Sequence, residues 1–427
     1  MGWNVVIAGG GFGGFYAARA LERLLPRQSA TVTLVNDANF MLYTPLLPGA
    51  AGATLDPRHV VVPLRSQLRR TELVIGRVTG ADPARRTLAV SRVDGERIDL
   101  PYDHLLVALG SVSRTLPIPG LAEHGIGLKS LSDATALRNQ VLNCLDVAES
   151  LEDETSRREY LGFVFVGAGY AGVEGLAELQ DFAGEAIELY PRSRAHGMRW
   201  VLIEARERIM GEVPESLSRF AADELRRRGV EVRTGTTVRE IGASWVGLAD
   251  GERIRARTVV WTAGVKPSAA VGALGLTLDR EGRIVVDRTL RAGDHACVWA
   301  IGDCAAVPDP ARRGQPCPPT AQHALRQGRL AAANIVRALA GAGARPFRYR
   351  TAGVFVELGS GKAVAITLGV RWRGFPAWLL VRTYHLLLMP GVGRRLRLLV
   401  DWNVALMFGR DTSAPGRLGS RTPLQGE

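Results

Sequence analysis

Two stretches of this chain repeat one construction. Trp3–Ala8 is an apolar, β-branched run that leads without a spacer into Gly9-Gly10-Gly11-Phe12-Gly13-Gly14, after which Phe15–Leu21 begins a helical pattern. Leu161–Val166 leads in the same way into Gly167-Ala168-Gly169-Tyr170-Ala171-Gly172 and the helical run Val173–Leu179. A buried strand feeding a glycine turn that opens a helix is a dinucleotide-binding fingerprint. Gly9, Gly11 and Gly14 occupy its three glycine positions in the first copy, and Gly167, Gly169 and Gly172 in the second. The first glycine allows the tight turn, and the second lets a pyrophosphate approach the backbone. The third lets helix and strand pack closely, while free N–H groups at the helix start bind phosphate. One such turn is a weak signal; two in a single chain are much more specific. They predict an α/β protein with two Rossmann-like dinucleotide-binding domains.

The partner segments follow each turn. After the first, Ala30–Val35 reads as a second strand, and either Asn36 or Asp37 stands where an acidic residue usually binds a ribose hydroxyl. After the second, Trp200–Ile203 ends in Glu204, the carboxylate that the pattern expects. Such a carboxylate accepts both ribose hydroxyls and repels a 2′-phosphate, which favours NADH over NADPH. Tyr102–Ser111 and Val259–Val265 read as buried return strands, ending in glycine turns at Gly110 and Gly264. Val298–Ile301 is another short strand, delivering Asp303 after Gly302. Thr320 caps a helix from Ala321 to about Leu339, whose positive N-terminal end suits negative charge on a cofactor. Within the segment Ser130–Arg138, Ser132 or Asp133 is the expected N-cap of another helix. Glu178, one turn beyond Glu174, reads as the wet face of its helix. Phe40–Ala50, broken by two prolines, reads as an apolar loop, and residues 350–370 as a hairpin turning at Gly359-Ser360-Gly361.

Totals narrow the class. With 427 residues the chain exceeds one core and splits into domains, and its hydrophobic fraction of 46% and charged fraction of 22% are those of a globular protein. Cys144, Cys297, Cys304 and Cys317 are widely spaced with no C-x-x-C, which argues against a disulfide relay. Cys304 reads as a packing residue, and no metal site is expected. No uncharged apolar run spans a bilayer, and no signal peptide is expected ahead of the first strand. The last segment differs in character: Phe375–Met389 and Arg394–Phe408 are apolar, aromatic and arginine-edged. From residue 363 onward nine arginines face Asp401, Asp411 and Glu427, half of the net charge of +12. Arginine-edged amphipathic helices with tryptophans read as an interfacial anchor on an anionic membrane surface or as a homodimer contact, and the sequence after Asp411 as a disordered tail. No nucleic-acid module is visible.

The paired turns, the Ser132-Asp133-Ala134 segment and Gly302-Asp303 resemble the two-dinucleotide-binding flavoprotein oxidoreductases. Pro45-Leu46-Leu47, Ala321-Gln322-His323-Ala324-Leu325-Arg326-Gln327 and the Ala377-Trp378…Asp401-Trp402 tail are similar to type II NADH dehydrogenases, single-subunit NADH:quinone oxidoreductases. That resemblance implies an FAD-binding domain at 1–118 and 293–340, interrupted by an NADH-binding domain at 119–292. A membrane-associating helical segment at 341–427 would follow. It implies FAD contacts at Gly9, Gly11, Gly14 and Asp303, NADH contacts at Gly167, Gly169, Gly172 and Glu204, and quinone-site roles for Gln322 and Gln327. It also places Glu174 near the nicotinamide. The implied enzyme passes a hydride from NADH to FAD and then two electrons to a membrane quinone, without pumping protons, as a peripheral protein of the cytoplasmic face of the cell membrane. Asn36 in place of an acidic ribose ligand and Thr44 in place of a common glutamine depart from the family pattern. Rival readings are a soluble ferredoxin or diaphorase-type reductase, a sulfide:quinone oxidoreductase and a redox-sensing flavoprotein.

Overall fold

The structure is a computed structural model and describes every residue except Met1, Asp294, Arg313, 350–352 and 415–427. The disordered tail expected after Asp411 therefore lies mostly outside the described residues. Two compact units divide the chain, one formed by Met1–Tyr43, Val61–Val112 and Val265–Thr351, the other by Thr44–Val60, Ser113–Gly264 and Ala352–Glu427.

The first unit is built on a seven-stranded sheet. Its order runs Val298–Ala300, His104–Val107, Trp3–Ala8, Ala30–Asn36, Thr71–Asp82, Thr87–Arg92 and Arg97–Pro101. The first five are parallel and the last two antiparallel. Parallel strands are covered on both faces, so they read as continuous apolar runs; His104–Val107 and Val298–Ala300 are buried throughout. The helices Phe12–Leu24 and Ala321–Leu339 pack against each other where Gly328 meets the backbone of Gly13. A Cβ at 328 would lie 2.2 Å from the Gly13 carbonyl oxygen, so the small-residue face of the later helix sets this approach.

The second unit holds a five-stranded, all-parallel sheet. Its order is Gly125–Gly127, Thr258–Trp261, Gly162–Val166, Arg199–Ile203 and Val230–Arg233. An antiparallel trio, Val238–Ile241, Trp245–Leu248 and Arg253–Arg255, closes one side of its core. A second trio, Gly353–Glu357, Ala363–Thr367 and Val370–Gly374, precedes the helices Phe375–Leu388 and Val392–Phe408. Ala377 and Val381 of the first helix pack on Ala363 and Ala365 of this sheet.

The division differs from the sequence boundaries, and three of the differences have a packing reason. Thr44–Val60 contains a 3₁₀ turn at Thr44–Leu46 and a helix, Leu47–Ala51, and is not only a loop. That helix packs on Leu131–Ser150 and Tyr170–Ala186 of the second unit. Val265 onward joins the first unit, because Ser268 donates to the Gly110 carbonyl and Ile284–Val285 pairs with Ala305–Ala306. The C-terminal sheet and helices belong to the second unit, where the Glu357 N–H donates to Glu174. A further correction concerns Leu131–Ser150: its N-cap is Ser130, not Ser132 or Asp133. Ser130 Oγ accepts from the Asp133 N–H while Asp133 reaches back to accept the Ser130 N–H, a capping box two or three residues earlier than expected.

Candidate functional site

The two glycine turns are built alike. Gly9 has φ +105° and Gly167 φ +102°, a region that side chains avoid. A Cβ on Gly14 would sit 1.8 Å from the Gly9 carbonyl oxygen, and one on Gly172 would sit 1.9 Å from that of Gly167. The return strands pass directly beneath, since a Cβ on Gly9 would strike Ala108 and one on Gly167 would strike Ala263. Thr262 adds a hydroxyl bond of 2.7 Å to the Gly167 carbonyl.

The middle glycines are the opposite case. Nothing lies within 4 Å of a Cβ on Gly11, Gly169, Gly110 or Gly264. Gly11 and Gly169 are also the N-caps of Phe12–Leu24 and Tyr170–Ala186, and neither helix has a side-chain cap. Open space over uncapped backbone N–H groups at the positive end of a helix fits a phosphate group. Both turns therefore suit a dinucleotide.

The strand-end polar residues are equivalent too. The Gly10 N–H donates to Asn36 Oδ1 at 2.7 Å, and the Ala168 N–H donates to Glu204 Oε2 at 2.8 Å. Asn36 Nδ2 is held by the carbonyls of Ala38 and Phe40, and Glu204 Oε1 accepts the Arg206 N–H at 3.0 Å. Asn36 is the positional counterpart of Glu204, whereas Asp37 is exposed beside it. The first turn thus carries a neutral amide and the second a carboxylate.

The remaining expected residues of the first unit gather at the start of Ala321–Leu339. Thr320 caps this helix through its bond to the His323 N–H. Asp303 Oδ2 accepts from Ser111 Oγ at 2.5 Å, which fixes the carboxylate after the left-handed Gly302. Gln322, half-buried in the first turn, accepts a bond from the Tyr349 hydroxyl at 2.7 Å. Gln327 is 1% exposed and its Oε1 accepts the Gly302 N–H at 2.8 Å, so it positions the Gly302-Asp303 turn. Five residues amount to about 140° around a helix, so Gln322 and Gln327 stand on different sides of it. His323, held against Thr320 Oγ1 at 2.7 Å, is buried, which lowers its pKa and keeps it neutral.

In the second unit Glu174 lines a small slot with Pro45, Leu46, Leu55, Glu357, Arg382 and Trp402. Its Oε1 accepts the Glu357 N–H at 3.0 Å, and burial drives its pKa well above the usual carboxylate range. Glu178 is not on a wet face. It is 1% exposed and lies 3.5 Å from the guanidinium of Arg410, which is buried as well. Arg410 also bonds the carbonyls of Gly52 and Glu178 and approaches Asp181 and Glu185. Sequence reasoning missed this cluster: Glu178 and Arg410 are 232 positions apart and no local pattern joins them. Lys362 pairs with Glu224. The four cysteines are free, and burial pushes the Cys304 thiol up to about 11, so it is no ready thiolate.

Two sheets, each with a glycine turn, an uncapped helix start and a polar strand end, define a two-dinucleotide protein of the Rossmann type. Residues 3–328 match the pyridine nucleotide-disulphide oxidoreductase family. Over 422 residues the chain is 30% identical to the type II NADH:quinone oxidoreductase Ndh of Mycobacterium tuberculosis, covering 95% of this chain and 89% of that one. It is 28% identical to a probable NADH dehydrogenase of Dictyostelium discoideum, covering 96% of this chain and 91% of the relative. Among solved structures, NDH2 of Plasmodium falciparum in complex with NADH shares the fold with a TM-score of 0.88 at 18% identity, over 97% of this chain and all of that one. The chain belongs to the type II NADH:quinone oxidoreductases, within the pyridine nucleotide-disulphide oxidoreductase family.

Proposed function

We propose that this chain is an NADH:quinone oxidoreductase that holds FAD at its first glycine turn and NADH at its second. The observation that carries this assignment is the asymmetry of two otherwise equal turns, with Asn36 at one strand end and Glu204 at the other. Bound FAD supplies the chemistry, accepting a hydride from NADH and yielding two electrons to a quinone. The chain supplies binding and orientation. Gly9, Gly11 and Gly14 cradle one pyrophosphate, and Gly110, Gly302 and Asp303 add backbone and carboxylate contacts to the flavin dinucleotide. Asn36 serves its ribose in preference to the exposed Asp37, and the helix start at Ala321 favours negative charge on the cofactor. Gly167, Gly169, Gly172, Gly264 and Glu204 hold the nicotinamide dinucleotide. Gln322, oriented by Tyr349, offers an amide to a quinone carbonyl. The test is steady-state NADH oxidation with a short-chain menaquinone, a ubiquinone and no acceptor. A quinone-dependent rate is expected, and equal rates in all three would overturn the reading.

Glu204→Gln tests the choice of nucleotide. Removing the charge, while one amide oxygen keeps one of the two backbone bonds, should raise the NADPH-to-NADH ratio of kcat/KM by roughly tenfold, about 1.4 kcal/mol. An unchanged ratio would mean that Glu204 does not face the ribose.

Membrane attachment is read from the last two helices, and among the described residues no helix is long and apolar enough to cross a membrane. Val392, Leu396, Val400, Val404 and Phe408 recur every fourth residue and are all exposed. Arg394, Arg395 and Arg397 flank the stripe, each worth roughly 1 kcal/mol near anionic lipid. This supports a peripheral protein seated through its C-terminal helices on the cytoplasmic face of the membrane, where the same stripe could also meet a second copy of the chain. Leu396→Glu, Val400→Glu and Val404→Glu combined should abolish flotation with anionic vesicles while flavin content stays normal. Undiminished flotation would refute the anchor.

A further inference from the structure

Gln322 has a charged neighbour on its own side of the helix. Four residues carry a helix about 40° past a full turn and about 6 Å along its axis, so Arg326 follows Gln322 on one face. Both are half-buried, whereas His323, Ala324 and Leu325 between them are buried. Long side chains on a helix lean toward its N-terminus, and Arg326 does so: its Nη1 donates to the Gln322 carbonyl at 3.0 Å. Tyr349 ties the two side chains together. Its hydroxyl donates to Gln322 Oε1 at 2.7 Å, and the Arg326 guanidinium lies over its ring, 4.1 Å from the centre. His323 meets the same ring at a steep angle, with 5.0 Å between ring centres.

The guanidinium has no carboxylate to neutralise it. Among the described residues Arg326 forms no ion pair. Asp309, a carboxylate that acts on the adjacent His323, is paired with Arg312 at 3.1 Å. By contrast, the enclosed arginines Arg138, Arg228, Arg283 and Arg410 each face a carboxylate. A cation drawn partly out of water, fixed by a ring and a carbonyl and left unpaired, suits an anionic ligand.

We propose that Arg326 is a specificity-determining residue of the acceptor site and favours quinones that carry a negative oxygen, while Gln322 serves a neutral carbonyl. This rests on the quinone-reductase reading above. Two electrons added to a quinone put negative charge on its two ring oxygens, which two protons then neutralise to give the quinol. NADH supplies both electrons and one proton in becoming NAD+, and water supplies the other proton. A guanidinium beside the acceptor stabilises that charge. It equally favours a ring oxygen that is ionised before any electron arrives, as in a hydroxyquinone anion.

The test titrates the flavin-loaded protein, without NADH, with two probes of similar shape near neutral pH. One is 2-hydroxy-1,4-naphthoquinone, which is ionised there, and the other is its neutral 2-methoxy counterpart. Calorimetry on the wild type should give a lower Kd for the anion. Arg326→Met, which keeps an apolar stem against the ring and loses the charge, should cut that preference on the order of tenfold. Arg326→Lys should retain it. Tyr349→Phe removes the bond that orients the Gln322 amide but keeps the ring, so it should weaken both probes alike. Flavin absorbance and its bleaching by NADH, which involve no acceptor, report whether each variant is folded, and Arg326→Gln replaces Arg326→Met if that protein loses its flavin. A charge-free variant with the wild-type preference would overturn the proposal, as would a wild type with none. A wild type that shows the preference and reduces no quinone would overturn the function reading instead.

Discussion

Gly172→Ala is expected to cripple NADH use while leaving FAD in place. The added methyl would lie 1.9 Å from the Gly167 carbonyl oxygen and 2.7 Å from Thr262 Oγ1. The first contact is with backbone, which has no rotamer to move, so the helix start must lift away from its strand. That displaces the N–H groups that hold the pyrophosphate, and kcat/KM for NADH should fall at least roughly 100-fold, about 2.7 kcal/mol. Gly14→Ala is the matching change at the other turn, with the methyl 1.8 Å from the Gly9 oxygen. It should yield a protein that purifies without flavin. Visible absorbance and NADH kinetics on the two variants therefore test which nucleotide each turn holds. If Gly172→Ala lost flavin and Gly14→Ala kept it, the assignment would be reversed.

The second large effect is on stability. Arg410 is buried among Glu178, Asp181 and Glu185, with the carbonyls of Gly52 and Glu178 as further acceptors. Arg410→Leu removes the cation paired with Glu178 and leaves that buried carboxylate without its ionic partner. Stripping one member from a buried pair costs about 3–5 kcal/mol, which should lower Tm by roughly 10 °C. Arg410→Leu combined with Glu178→Leu removes both charges and should recover part of that loss. Thermal melts of the single and double variants decide the matter. A single variant as stable as the wild type would show that the cluster carries no such weight.

Much of this was legible in the sequence because it depends on neighbours along the chain. Strand, glycine turn and helix lie within one short stretch, so both nucleotide turns could be read. The Thr320 cap and the hairpin at Gly359-Ser360-Gly361 were equally local. The Ser130 cap was misplaced because Ser130, Ser132 and Asp133 offer overlapping capping signals, and only the reciprocal bond distinguishes them. Gln327 shares a run with Gln322, and only the fold shows that the helix turns it inward to the Gly302 N–H. The pairing of Glu178 with Arg410 and of Glu174 with Glu357 depends on distant segments meeting, and no spacing encodes that. That Asn36 and not Asp37 accepts the Gly10 N–H is likewise visible only in the fold.

The most direct test mixes the purified, flavin-loaded protein with NADH in the absence of oxygen and then adds a short-chain quinone. The visible flavin band should bleach on the first addition and return on the second, with one NADH consumed per quinone reduced. A band that NADH leaves untouched, or one that bleaches and that no quinone restores, would contradict the account.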